Sequence, residues 1–187
     1  LCEKPMSSTA DEGWPIVAAE AEQGRRLVQL GFMRFYDPGF VELKRVIDSG
    51  ALGEPRLVHS VHRNESARST SAVSLIAGSM IHELHHVPWL LDDPIVAIRV
   101  ESPVAEGLQD PLLATLRLAS GVLASIEVFV NAHYGYDVRC EVVGTRGTAA
   151  LAPPRPPVVT RVDALEGMAV HRNYPEHFAD AYRLELT

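Results

Sequence analysis

Leu112-Leu113-Ala114-Thr115-Leu116-Arg117-Leu118-Ala119-Ser120-Gly121-Val122-Leu123-Ala124-Ser125-Ile126-Glu127-Val128-Phe129-Val130 is the stretch whose reading decides the fold. Leu112, Ala114, Leu116 and Leu118 recur at period two, with Thr115 and Arg117 on the other face, as a half-buried strand requires. Ser120-Gly121 is a two-residue turn. Val122, Ala124, Ile126, Val128 and Val130 continue the apolar face on a returning strand. Val138, Cys140 and Val142 repeat the alternation opposite Asp137, Arg139 and Glu141. One buried face per strand implies an antiparallel sheet with helices on one side and its other side open to water or a partner. Leu123 and Phe129 fall on that open side among polar residues, which points to an oligomer contact through the sheet.

Upstream of the sheet the signals are helical. Thr9 or Ser8 can cap a helix running to about Gln23, with Asp11 and Glu12 in its first turn. Leu27 to Phe32 reads as a strand. Asp37-Pro38 is an N-cap followed by proline at the first helical position, Phe40, Leu43, Val46 and Ile47 form the apolar stripe, and Gly50 stops the helix. The fold class expected is α+β: an open, predominantly antiparallel sheet with helices on one face.

Between helix and sheet lies Gly78-Ser79-Met80-Ile81-His82-Glu83-Leu84-His85-His86. Met80, Leu84, Val87 and Leu91 fall at helical spacing and predict a buried stripe; Gly78, His82, His85 and Trp89 share the neighbouring face. Two histidines there are more than a buried stripe needs, so that face is expected to look into a cavity. His82-Glu83-Leu84-His85-His86 also matches H-E-x-x-H, the zinc-peptidase pattern. Zinc would need a third protein ligand, and Pro88 is expected to disturb the long helix which that motif uses. The peptidase stays a remote alternative.

The chain has 187 residues, 47% hydrophobic and 22% charged, with net charge −7. That suits one domain with its own core. No apolar run approaches the ~20 residues of a membrane span, and no Lys/Arg tract suggests nucleic acid. Cys2 and Cys140 are the only cysteines, too few for a disulfide framework or a thiolate metal site. A reduced, cytoplasmic setting is expected, and no metal.

Glu3-Lys4-Pro5 stands at the start of the chain, ahead of the first methionine at Met6. The tripeptide resembles the Glu-Lys-Pro signature closing the nucleotide-binding half of the glucose–fructose oxidoreductase/inositol dehydrogenase (Gfo/Idh/MocA) family. Further matches follow in order. Gly31-Phe32-Met33-Arg34-Phe35-Tyr36-Asp37-Pro38 resembles a strand-to-helix junction of inositol 2-dehydrogenases, and Gly50-Ala51-Leu52-Gly53-Glu54-Pro55 the turn into the first long strand. That strand ends at His62-Arg63-Asn64. Ile81-His82-Glu83 with Trp89-Leu90-Leu91 is similar to the catalytic histidine helix, and Tyr134-Gly135-Tyr136-Asp137 to a segment of the inositol dehydrogenase branch.

The resemblance implies a domain order: residues 1–10 as the end of a nucleotide-binding domain, and 11–187 as a substrate-binding and oligomerisation domain cut short at its C-terminal end. It implies Lys4 and His82 as catalytic, Arg34, Asn64, His85 and Tyr136 as substrate-binding, and Lys4 and Pro5 as cofactor contacts. NAD or NADP would serve the full-length protein. No G-x-G-x-x-G follows a strand here, so the chain alone is expected to bind no cofactor tightly and to turn nothing over. The implied reaction is oxidation of a secondary hydroxyl of a cyclitol or sugar, myo-inositol-like, in a homo-oligomer. His82 takes the hydroxyl proton and Lys4 stabilises developing charge on the oxygen. The alternative is a non-catalytic binding or oligomerisation module of the same fold. Two positions depart from the family pattern: Gly78 and His85 stand where inositol dehydrogenases usually have aspartates. Without the first aspartate, His82 is expected to be a weaker base.

Overall fold

The computed structural model describes residues 1–103, 107–151, 159–161, 164–166 and 174–186. Its elements run β1 (Cys2–Glu3), α1 (Ala10–Glu22), β2 (Leu30–Gly31), a 3₁₀ turn (Met33–Phe35), α2 (Pro38–Asp48), β3 (Pro55–Arg63), a π-helical stretch (Ser74–Met80), α3 (Ile81–Leu91), β4 (Ile95–Glu101), β5 (Leu112–Leu118), β6 (Leu123–Phe129), β7 (Asp137–Gly144) and β8 (Thr148–Leu151). The short hairpin β9 (Val159–Arg161) and β10 (Ala164–Glu166) and the helices α4 (Tyr174–His177) and α5 (Ala179–Glu185) follow.

Six strands form one sheet in the order β4-β5-β6-β3-β7-β8. Every neighbouring pair is antiparallel except β3 and β6, which run parallel. The period-two reading of β5, β6 and β7 is borne out. Leu112, Ala114, Leu116, Leu118, Ala124, Ile126, Val128, Cys140 and Val142 are all at most 1% exposed, each large side chain contributing about 1.5–3 kcal/mol of burial. Leu118 and Val122 close the hairpin with a backbone bond of 3.0 Å, so the connection is the three-residue loop Ala119-Ser120-Gly121 and not the expected two-residue turn. Gly121 takes its φ of 94°, and the odd loop length keeps the apolar residues of both strands on one face. On the covered face α2 packs on β8, α3 on β3 and the π stretch on β6. The other face carries Thr115 and Arg117, both exposed, and no described helix covers it.

The caps behave as read. Thr9 accepts a bond from the Glu12 amide at 3.3 Å, and Asp37 accepts from the Phe40 amide at 3.0 Å. Phe40 and Leu43 of α2 are buried. The turn from α2 into β3 is pressed onto the end of β7: a Cβ on Gly144 would lie 2.1 Å from the Leu52 carbonyl oxygen, so only glycine fits.

Three further expectations are corrected. Leu27 to Phe32 is not one strand; only Leu30–Gly31 pairs, in parallel, with Cys2–Glu3. The Glu20 carboxylate instead accepts the Leu27 and Val28 amides at 2.6 and 2.7 Å, occupying the donors a strand would need. Pro88 does not interrupt α3, which continues to Leu91. It lacks the N–H for the carbonyl one turn back, yet Val87 and Leu90 beside it are fully buried and hold the helix. The buried stripe is also rotated from the expected one. Glu83, His86, Val87 and Leu90 lie deepest, while Leu84 and Leu91 are only partly buried. A carboxylate and an imidazole therefore sit inside the core. Among the described residues no helix is long and apolar enough to cross a membrane.

Candidate functional site

The covered face of the sheet opens at one end into a cavity of about 470 Å³. Four parts of the chain supply its wall. The end of β3 and the residue after it contribute His62 and Asn64, the residue just before β7 is Tyr136, the π stretch and first turn of α3 contribute Gly78, Ser79 and His82, and β1 with the residue after it contributes Glu3 and Lys4. Tyr174 and Tyr182 of the C-terminal helices and Met33 complete it. Period-two alternation explains the β3 residues: Val58, Ser60 and His62 share the inward face, each at most 3% exposed.

Lys4 is tied to the far wall by a short hydrogen bond from its ammonium to the Gly78 carbonyl. Burial, then the nearby Arg34 charge, lowers its pKa from 10.5. The His82 imidazole is 5% exposed. Burial first, then the positive charges of Arg34 and Lys4, push its pKa well below 6.5, so the ring is neutral at neutral pH. Among the described residues its Nδ1 is buried without a hydrogen-bond partner, and so is Asn64 Oδ1. Burial likewise pushes the Tyr136 hydroxyl well above 10, keeping it protonated.

Behind this wall lies a buried polar network. Arg34 ion-pairs with Glu83 through a short contact, approaches His86 Nδ1 at 2.9 Å and His62 Nδ1 at 3.4 Å. Glu83 also lies 3.3 Å from His62 Nδ1. Burial opposes charge on Glu83, but the Arg34 guanidinium, joined by His62, overcomes it and holds the carboxyl far below the usual carboxylate range. His86, buried beside that guanidinium, is pushed down to about 3. His86 Nδ1 also lies 3.0 Å from the His82 carbonyl oxygen. The H-E-x-x-H segment does not form a zincin arrangement: its glutamate is bound in the ion pair with Arg34, and among the described residues no three His, Cys, Asp or Glu side chains gather to hold a metal ion.

The residues singled out from sequence are thus distributed over three environments. Lys4, Asn64, His82 and Tyr136 line one cavity. Arg34 lies behind the wall, 1% exposed. His85 is not on the lining; its ring stacks between Phe32 and Phe35, at centroid distances of 3.6 and 4.4 Å. Pro5 borders an adjoining apolar groove with Met6, Phe32, Ile76, Ala77 and Ile81. His62, Glu83 and His86 were not picked out from the sequence as site residues. His62 was legible from the alternation of β3, and Glu83 from its spacing to Val87 and Leu90 on one helical stripe. A second depression, about 660 Å³, lies by Glu54, Asp92 and Asp93. Each of those carboxylates already has a partner, in Arg56, Lys44 and Ser120 respectively, so it has no comparable unpaired group.

Residues 40–150 match the family model described as the GFO/IDH/MocA C-terminal domain. The whole chain aligns with inositol 2-dehydrogenase 1 of Saccharopolyspora erythraea at 48% identity and with inositol 2-dehydrogenase of Paracoccus denitrificans at 44%. It spans 57% and 56% of those two proteins. Among solved structures, the myo-inositol dehydrogenase of Lactobacillus casei, in complex with NAD(H) and myo-inositol, matches 98% of this chain and 56% of its own, with TM-score 0.88 and 35% identity.

Proposed function

Because the chain belongs to the GFO/IDH/MocA family, we propose that it is the substrate-binding and catalytic part of an NAD(P)-dependent dehydrogenase that oxidises a secondary hydroxyl of a cyclitol or sugar. The observation that carries this reading is the meeting of Lys4 and His82, distant in sequence, on one polar cavity with Asn64 and Tyr136. The similarity to inositol dehydrogenases supports the substrate class.

The residues present fit a nicotinamide at the cavity mouth. There the polar wall at Lys4 passes into the apolar groove beginning at Pro5, which suits a flat, weakly polar ring. Lys4 and Pro5 would hold it. When bound, the nicotinamide accepts the hydride. His82, neutral at working pH, receives the hydroxyl proton as the hydride departs. Burial and the Arg34 and Lys4 charges outweigh the attraction of Glu83 for the imidazolium, and Nδ1 has no hydrogen-bond partner among the described residues, so His82 is a weak base that acts only as the oxygen becomes carbonyl-like. Lys4 uses one N–H on Gly78 and has two left to donate to the reacting oxygen. Asn64 Oδ1 accepts from a neighbouring hydroxyl, and the protonated Tyr136 hydroxyl donates to or accepts from another. Burial of Arg34 gives it a supporting place behind His62 rather than direct contact with the substrate. A homo-oligomer formed through the open sheet face belongs to the same reading.

NAD reduction by myo-inositol, measured on a protein carrying these residues together with a nucleotide-binding domain, tests it. Activity that disappears on changing Lys4 or His82 is the expected result; polyol binding without any turnover would favour a non-catalytic module, the reading that the unpartnered His82 Nδ1 recommends as second.

A further inference from the structure

Gly78 lines the cavity beside Lys4 and His82, and a Cβ built on it meets no heavy atom within 4 Å. Its backbone does not lie in the left-handed region, so the conformation would accept any residue. The glycine leaves room, and the room adjoins polar groups that lack acceptors. Lys4 Nζ sits against the Gly78 carbonyl with one of its three N–H groups engaged. One helical turn on, His82 Nδ1 is buried with no partner. A ring bearing only hydroxyl groups would leave this recess unfilled.

We propose that Gly78 forms a specificity recess for an exocyclic, oxygen-bearing carbon, so that the preferred substrate is a substituted ring polyol, a hexopyranose or its uronate, rather than an unsubstituted cyclitol. The proposal rests on the dehydrogenase reading above and narrows its substrate class. The exocyclic oxygen accepts a hydrogen bond from the Lys4 ammonium. A carboxylate there also faces a partly desolvated cation, where charge-assisted bonds are strongest.

The test is ligand-observed NMR titration of the purified protein with D-glucose, D-glucuronate and myo-inositol. At least one substituted ring should bind about tenfold more tightly than myo-inositol, the effect of one hydrogen bond to a charged group. The glucose-to-glucuronate ratio then tells a hydroxymethyl from a carboxylate. Gly78→Asp, which places bulk and negative charge in the recess, should weaken the substituted ring at least about tenfold more than it weakens myo-inositol. Gly78→Ala should do the same to a smaller degree, and circular dichroism checks that both variants are folded. Equal or tighter binding of myo-inositol by the parental protein, or uniform weakening of all three ligands by Gly78→Asp, would overturn the proposal and leave the dehydrogenase reading standing. Binding of none of the three would remove both.

Discussion

Arg34 and Glu83 form an ion pair from which water is excluded, their side chains 2% and 0% exposed. Through His86 and His62 the same guanidinium joins the 3₁₀ turn, α3 and β3, the elements that set the cavity wall. Removing either partner leaves an uncompensated charge in the core, at a cost of about 3–5 kcal/mol. Arg34→Met and Glu83→Ala should each lower the unfolding free energy by that amount in urea titrations. The double variant Arg34→Met/Glu83→Leu should lose less than the sum. A cost below about 1 kcal/mol for either single change would contradict the geometry.

His82→Ala and Lys4→Ala should separate activity from stability. Lys4 bonds one carbonyl near the surface, and His82 Nδ1 has no internal partner to lose, so each should destabilise by only about 1 kcal/mol. Turnover in the protein with its nucleotide-binding domain should fall about a hundredfold or more. Near-parental rates for both would show that the chemistry lies elsewhere.

Acid should destabilise the fold in a window set by its buried histidines. His82 and His86 have folded pKa values below the ordinary 6.5, the latter about 3. The unfolded chain takes up protons near pH 6.5 while the folded one does not. Stability is therefore full above that pH and falls below it by about 1.4 kcal/mol per pH unit for each histidine. Below about pH 4.5 the unfolded form of Glu83 protonates too, and the loss steepens. Denaturant titrations at pH 7, 6 and 5 read the slope, and His86→Leu should reduce it by one histidine's share. An unchanged slope in that variant would place the proton uptake on other groups.

The open sheet face should mediate self-association. Leu57 pairs with Leu123 across β3 and β6, Leu113 is 50% exposed, and Phe129 is half-buried on the same face. Around them Arg63 is clamped on Glu127 at 2.5 and 2.9 Å, and Arg139 on Asp137 at 2.9 Å. Apolar residues among fixed ion pairs suit an interface, and a two-fold arrangement is the simplest one. Light scattering at micromolar concentration should report a dimer or larger species that Phe129→Glu dissociates. A monomer unaffected by that change would make these surface residues incidental.

Much of the fold was legible because its signals are local. Alternation from Leu112 to Val130 and the Asp37-Pro38 cap each depend on residues within a few positions, and each appears as expected. The hairpin's place does too, though its loop is one residue longer than the two-residue turn. The Leu27–Phe32 strand failed because a side chain from α1, Glu20, takes its amide donors. The helical stripe of α3 was read one step off because Glu83 and His86 are polar. Hydropathy assigns such residues to solvent; here a guanidinium from another segment neutralises the carboxylate.

The sequence by itself determined the sheet, its covered face, the helix ends and the residue types from which a site could be built. Tertiary structure alone decided which of those residues meet. It set Lys4 against Gly78, moved Arg34 behind the wall and enclosed His85 between two phenylalanine rings. It also left the space at Gly78 empty. Periodicity follows from backbone geometry and can be read along the chain, whereas the partners of a buried charge and the volume beside a glycine depend on segments distant in sequence that come together only when the core packs.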